Sequence, residues 1–105
     1  MRLQKDIIIR SKKIRESARG EECTIRIPGV CNRNPETVVF CHDDGGGVGG
    51  KVSDIFGAYG CSDCHDVVDG RVQLTVPTKL IKEKYFNEAI KRTQQILINK
   101  GLLKV

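Results

Sequence analysis

The sequence has no tryptophan, and aromatic residues make up only 5% of its 105 residues. Large side chains that could fill a hydrophobic core are therefore scarce. A chain of this length is also near the lower limit for a domain that buries an adequate core unaided. We expect one small domain with another source of stability, such as a structural metal ion whose binding free energy becomes folding free energy.

Long apolar runs are also missing. No stretch approaches the roughly 20 apolar residues of a membrane span. Near the N-terminus, three charged residues (Arg2, Lys5 and Asp6) precede an apolar run of only three isoleucines. This segment is too short and too charged for a secretion signal. The sequence therefore predicts a cytoplasmic protein without a membrane partner, where clustered cysteines bind metal more often than they form disulfides.

The glycine-rich segment at residues 45–50 lacks the spacing of a nucleotide-binding loop. Lys51 follows five glycines, but Val52 stands where a G-x-x-x-x-G-K-[ST] motif needs serine or threonine. We predict instead a loop beside an active site, with Lys51 in contact with a phosphate.

Positive charge is in excess, with a net charge of +5, and it concentrates at both ends of the chain. Clustered positive charge favours a polyanionic partner such as nucleic acid, although a solvated lysine-rich surface would have the same composition. The basic segments contain no interleaved aromatic residues, which argues against an extensive base-stacking platform.

Alternating and helical patterns predict a mixed α and β domain. We expect a short helix within residues 11–19, strands at residues 22–27 and 37–42, and a turn or short helix at residues 55–59. A helix over residues 64–69 should end at Gly70. An apolar stripe at helical spacing from Leu80 to Leu97 predicts a C-terminal amphipathic helix that packs on the domain.

All five cysteines and both histidines fall between residues 23 and 65. Cys61 and Cys64 have the C-x-x-C spacing of a zinc knuckle. Seven residues separate Cys23 from Cys31, a wider gap than the two to four residues that usually separate paired zinc ligands. The Pro28-Gly29 turn could nevertheless bring the two cysteines together to complete a tetrahedral site. One alternative stays open, in which Cys23 or Cys31 is an ordinary buried thiol and Cys41 or a histidine completes the site instead.

The histidines suggest a second centre. His65 and Asp69 are four residues apart and share one face of the predicted helix, so together they could chelate a divalent ion. His42, at the end of a predicted strand, could act as general base on a water molecule that attacks a phosphate. The alternatives are that His65 completes the zinc site and that His42 is an ordinary surface histidine.

Several segments together resemble a known family. They are Ala18–Cys23, Arg26–Asn32, Asn34–Thr37, His42, Lys51, Asp54, Cys61–Asp66 and Asp69–Arg71. Their order resembles the ββα-metal (HNH) nucleases, and most closely the YbcO-like nucleases of phages and prophages. That family is in turn similar to the phage recombination-enhancing nuclease that cuts DNA at RecA filaments.

The resemblance implies a small zinc-stapled ββα-metal (HNH-like) domain of the α+β class. Residues 1–19 would form a basic N-terminal arm, residues 20–77 a zinc-bound nuclease core, and residues 78–105 the C-terminal helix packed on the core. It implies Zn²⁺ at the four cysteines Cys23, Cys31, Cys61 and Cys64, and Mg²⁺ or Mn²⁺ at the catalytic centre.

The site residues follow from the same resemblance. His42 would be the general base and His65 a ligand of the catalytic metal, with Asp69 added by helix geometry. Many HNH sites have Asp or His directly before the catalytic histidine, where this chain has Cys41. Asp43 or Asp44 could therefore contribute a ligand from the loop. Arg19, Lys51 and Arg71 are the predicted contacts to nucleic acid.

The predicted function is metal-dependent hydrolysis of DNA by an endonuclease of phage or prophage origin, in DNA recombination or processing. DNA is the expected partner, together with RecA or another recombination protein, while the oligomeric state stays open. The alternative is a non-catalytic zinc module that binds nucleic acid or a recombination protein.

Overall fold

The computed structural model describes residues 11–42 and 55–103. Its elements are α1 (Lys12–Glu16), β1 (Val39–His42), β2 (Gly57–Gly60), α2 (Ser62–Val68), α3 (Thr78–Ile81) and α4 (Asn87–Asn99). A 3₁₀ turn at Pro35–Thr37 precedes β1, and a π-helical turn at Lys82–Phe86 joins α3 to α4. The predicted α+β class and C-terminal helix are confirmed. None of the helices in these two ranges is long and apolar enough to cross a membrane.

The two strands form an antiparallel pair at the centre of the domain. Their register pairs Val39 with Gly60 and His42 with Gly57. A β-carbon on Gly60 would lie 2.7 Å from both the Cys41 Sγ and the Ile25 Cδ1, so the close packing leaves room only for glycine there. The turn predicted at residues 55–59 is present only at Ile55 and Phe56. The prediction is wrong for residues 57–59, because pairing with β1 overrides the local pattern.

The strand predicted at residues 22–27 is also wrong. The backbone N–H of Thr24 donates to the Tyr59 carbonyl at 2.7 Å, but no ladder continues from this bond. Arg26 has a φ of 54°, in the left-handed region, and this conformation turns the chain out of an extended path.

The core lies between the sheet, α1 and the C-terminal helix. Its largest fully buried side chains include Tyr59, Phe86 and Leu97. Ile14 and Ala18, which fall within the predicted N-terminal arm, are only 1% exposed and belong to the same core. The boundaries predicted at residues 19 and 77 stay predictions.

The π-helical turn explains how the C-terminal helix meets this core. Ile81 and Phe86 are both buried although they are five residues apart, a gap that one wide π-type turn accommodates better than an α-helical turn. Leu80, part of the predicted apolar stripe, is 51% exposed instead.

A buried polar network ties the segment before the sheet to α4. The Thr93 and Thr24 hydroxyl oxygens are 2.9 Å apart, and Thr93 Oγ1 also accepts the Tyr59 backbone N–H at 3.2 Å. The Thr24 hydroxyl in turn donates to the Tyr59 carbonyl at 2.9 Å. Both threonines are 1% exposed or less, so water cannot replace a lost partner.

Replacing Thr93 with valine should lower the free energy of unfolding by about 1–3 kcal/mol, because the buried Tyr59 N–H would lose its acceptor. Urea denaturation measures the change. Thr75→Val is the matched control at an exposed position, and it should change stability by less than about 0.5 kcal/mol. Equal stabilities for the two variants would contradict the assigned role of the network.

Candidate metal centre and active site

Four cysteines converge from three separate parts of the chain. The Sγ atoms of Cys23, Cys31, Cys61 and Cys64 all lie within 4.8 Å of one another. The Cys31 and Cys61 sulfurs are 3.9 Å apart, close to the roughly 3.8 Å expected between ligands of a tetrahedral zinc with Zn–S bonds of about 2.3 Å. None of these cysteines is in a disulfide. The donor set therefore fits a structural metal ion.

Electrostatics within the cluster agree with a site that holds thiolate. The pKa of Cys23 is lowered to about 4, chiefly because the Cys64 thiol donates a hydrogen bond to it, with help from the backbone N–H groups of Arg26, Cys61 and Ile25. The same hydrogen bond raises the pKa of Cys64, which keeps its proton. Zinc binds cysteine as thiolate, so metal binding would displace this proton.

Cys41 does not join the cluster. Its side chain is 1% exposed, and burial raises its pKa to about 12. Its Sγ lies 3.8 Å from the Val39 carbonyl. The structure therefore favours the predicted four-cysteine set over the alternative in which Cys41 is the fourth ligand.

The cluster organises the start of α2. Cys61 is the N-cap of this helix, and its Sγ accepts the Cys64 backbone N–H at 3.4 Å. Asn32, directly after Cys31, donates to Ser62 Oγ at 3.2 Å and to Asp63 Oδ2 at 3.1 Å. These bonds fasten the loop that carries Cys31 to the first turn of α2.

His42 lies at the exposed end of β1, opposite Gly57. Its ring makes an edge contact with Phe40, with ring centroids 5.1 Å apart. Phe40 in turn makes an edge contact with the buried Tyr59 ring. The exposed His42 side chain thus contacts one aromatic ring, that of Phe40, which in turn packs on the core.

His65 lies on α2 and Asp69 is the C-cap residue of this helix, which spans Ser62–Val68 and not the predicted residues 64–69. The Asp69 backbone N–H donates to the His65 carbonyl at 2.9 Å, so the two residues are one helical turn apart and share a face. The Asp69 carboxylate is paired with Arg71 at 3.0 Å, and the Arg71 guanidinium also lies 3.4 Å from Asp66. Arg71 is therefore held next to the carboxylate predicted to bind the catalytic metal.

The remaining predicted site residues are spread more widely. Arg19 is exposed, just after α1. Lys51, Asp43, Asp44 and Asp54 lie outside the described residues. Within residues 11–42 and 55–103, the four cysteines form the group of three or more ligand side chains close enough to share an ion. The catalytic-metal ligands stay predictions.

Comparison with known proteins places the chain in a family. Residues 12–102 match the family model described as "Putative nuclease YbcO". The chain belongs to the YbcO family. Two YbcO relatives named "Putative nuclease YbcO", from Escherichia coli K12 and from Enterobacteria phage 82, are each 43% identical over 94 residues, covering 87% of this chain and 96% of their own length.

The chain is also similar to a solved structure. It is described as a "putative bacteriophage protein" from Escherichia coli K-12 substrain MG1655, and it is 40% identical to this chain. The two superpose with a TM-score of 0.70 over 85% of this chain and 100% of the other. The resemblance to the YbcO family seen in the sequence motifs is thus confirmed.

One feature of this YbcO chain was missed at the level of sequence. Arg26 and Arg33 are the non-glycine residues with positive φ in the described ranges, at 54° and 56°. Each follows a cluster cysteine by two or three residues. Burial raises the pKa of Cys31, which the Arg33 backbone N–H partly opposes, and the Arg26 backbone N–H helps to lower the pKa of Cys23. The available signal was the position of each arginine two or three residues after a cysteine, because a tight turn after a cysteine ligand points backbone N–H groups at its sulfur.

Proposed function

We propose that this chain is a metal-dependent DNA endonuclease, in which His42 is the general base and His65 and Asp69 bind the catalytic Mg²⁺ or Mn²⁺. Zn²⁺ at Cys23, Cys31, Cys61 and Cys64 is structural. Membership of a family described as nucleases supports the hydrolytic class, and the arrangement of the residues supports the finer assignment.

One observation carries the proposal. Strand β1, which ends at His42, packs against helix α2, which carries His65. The order strand, strand, helix is the order of a ββα-metal site, and the four-cysteine cluster anchors the first turn of α2. A metal ion in that cluster would fix the orientation of α2 relative to the sheet without taking part in the reaction.

The proposed hydrolysis needs a base for the attacking water molecule and a divalent ion to stabilise charge. His42 is exposed, so a water molecule beside it can lose a proton to the imidazole as it attacks a phosphate. A divalent ion supplies stabilisation of the negative charge on the phosphate and leaving oxygen. His65 and Asp69 would hold that ion from one face of α2, and Arg71 beside them would contact the phosphodiester through its guanidinium.

The test is cleavage of labelled single-stranded, duplex and branched DNA, with and without Mg²⁺, Mn²⁺ and RecA. We expect cleavage only when a divalent ion is added. Absence of cleavage of every substrate under all of these conditions would favour the alternative, a non-catalytic zinc module that binds nucleic acid or a recombination protein.

Asp66 in α2 and Asp69 at its C-cap provide a matched pair of carboxylates for testing which residues bind the catalytic metal. Asp66 and Asp69 both contact Arg71, but only Asp69 shares a helical face with His65. Asp69→Asn should raise the Mn²⁺ concentration needed for half-maximal cleavage by about tenfold or more. Asp66→Asn should leave it unchanged. Equal effects of the two substitutions would remove Asp69 from the metal site.

A further inference from the structure

A groove borders the four-cysteine cluster at Cys23 and Cys31. It has a volume of about 690 Å³ and runs between the turn at Pro28-Gly29 and the loop at Pro35. Cys23, Cys31, Arg26 and Arg33 are among its lining residues. Two of the predicted nucleic-acid contacts, Arg19 and Arg71, are not.

The positive-φ backbone conformation of Arg26 and Arg33 does not require a long side chain. Positive φ aims the N–H groups of Arg26 and Arg33 at cluster sulfurs, a task that glycine or asparagine performs with less strain. The presence of a long cationic side chain at both positions therefore calls for a separate reason.

Both guanidinium groups are available for an external ligand. The Arg26 side chain is 57% exposed, with its Nε donating to the Cys23 carbonyl at 3.0 Å and a terminal nitrogen 4.0 Å from the exposed Glu22 carboxylate. Arg33 is exposed, and its side chain has no hydrogen bond or ion pair with any residue in 11–42 or 55–103. Neither guanidinium donates to a cysteine sulfur.

Two roles are consistent with paired arginines next to thiolates. One is compensation for the negative charge of a zinc ion with four thiolate ligands. The backbone N–H groups already hydrogen-bond the sulfurs, however, while the side chains of Arg26 and Arg33 are exposed and line the groove. The other role is to bind an anion that enters the groove, and arginine forms paired hydrogen bonds with phosphate oxygens.

We infer that this groove binds the phosphate backbone of DNA through Arg26 and Arg33. The inference rests on the proposed function, for which it names a binding surface apart from His42 and His65. The Asn32 side chain hydrogen-bonds the first turn of α2 at Ser62 and Asp63. Phosphates held by Arg33 would therefore have a fixed position relative to the helix that carries His65, in the way that backbone contacts set register on DNA.

The test is DNA binding by the double variant R26N/R33N, measured by fluorescence anisotropy at several salt concentrations without Mg²⁺ or Mn²⁺. Asparagine adopts positive φ readily, so we expect the variant to fold and to keep its zinc. Its affinity for duplex DNA should fall about tenfold or more near 0.1 M salt. The slope of log K against log salt should become shallower by about 1.8, or about 0.9 for each lost phosphate contact.

The control removes the same charge elsewhere. Lys79 and Lys91 are exposed on α3 and α4 and do not line the groove, so K79Q/K91Q should change the slope by far less. An unchanged slope in R26N/R33N, or loss of zinc with unchanged DNA affinity, would overturn the inference. If the double variant loses zinc and affinity together, the DNA affinity of the single variant R33N decides whether the groove binds DNA. The Arg33 side chain has no partner in the described ranges to lose.

Binding and cleavage separate this inference from the nuclease assignment. DNA cleavage by the parent with unaltered binding by R26N/R33N would leave the endonuclease and remove the groove. Weaker binding by R26N/R33N with no cleavage by any form would leave the groove and remove the endonuclease. A parent protein that binds no DNA would overturn the groove directly.

Discussion

Replacing His42 with alanine should lower the rate of DNA cleavage by about 10²–10⁴-fold, the contribution expected of a positioned general base. The residue lies exposed at the end of β1, so its removal leaves the buried part of the sheet intact. Zinc content and melting temperature should match those of the parent protein. Single-turnover cleavage of labelled DNA at saturating Mn²⁺ measures the effect.

Adding imidazole to the His42→Ala variant provides a second test of the role of His42. If His42 acts by accepting a proton, imidazole should restore part of the activity of His42→Ala, whereas a purely structural role would not be rescued. Val39→Ala is the matched control, since Val39 is an exposed residue of the same strand. Cleavage by His42→Ala at the parental rate would remove this residue from the mechanism.

Replacing Cys64 with serine should abolish both metal binding and cooperative folding. The apparent binding free energy of a structural zinc is about 10–16 kcal/mol, and total stabilities of small domains are about 5–15 kcal/mol. Loss of one ligand from a 105-residue chain with few large core side chains therefore leaves too little to hold the fold. Circular dichroism and zinc quantification measure the two effects.

Cys41 supplies the control for that experiment. Cys41→Ala removes a thiol that is equally buried but lies outside the four-cysteine cluster. This variant should keep one zinc per chain and fold, with a modest loss of stability from the missing sulfur. A Cys64→Ser protein that is folded and retains stoichiometric zinc would exclude the structural role, as would zinc loss on Cys41→Ala.

Much of the helical structure could be predicted because its signals are local. The stripe from Leu80 to Leu97 identified the C-terminal helix from spacing alone. Gly70, which has a φ of 83°, follows α2 as its position in the sequence indicated. The prediction placed Leu80 in the core, because a regular α-helical period cannot reveal one wide π-type turn.

The strands were harder to predict, because pairing depends on residues distant in sequence. The segment at residues 22–27 has β-branched residues in alternation, but it makes its hydrogen bonds with Tyr59 and Thr93 and turns at Arg26. Conversely, β2 consists of small residues and Tyr59 without a strand pattern, and it is a strand because Gly57 and Gly60 allow β1 to approach closely.

The sequence by itself predicted a metal-binding centre and indicated the YbcO family, since both conclusions rest on short motifs and their order. Only the tertiary structure decided which four of five cysteines meet. That choice depends on the turn at Pro28-Gly29, the register of β1 on β2, and the burial of Cys41 against Gly60. The same long-range packing brings β1 against α2 and exposes Arg26 and Arg33 beside the cluster. Local spacing cannot encode these contacts, because they form only when segments far apart in the chain are packed together.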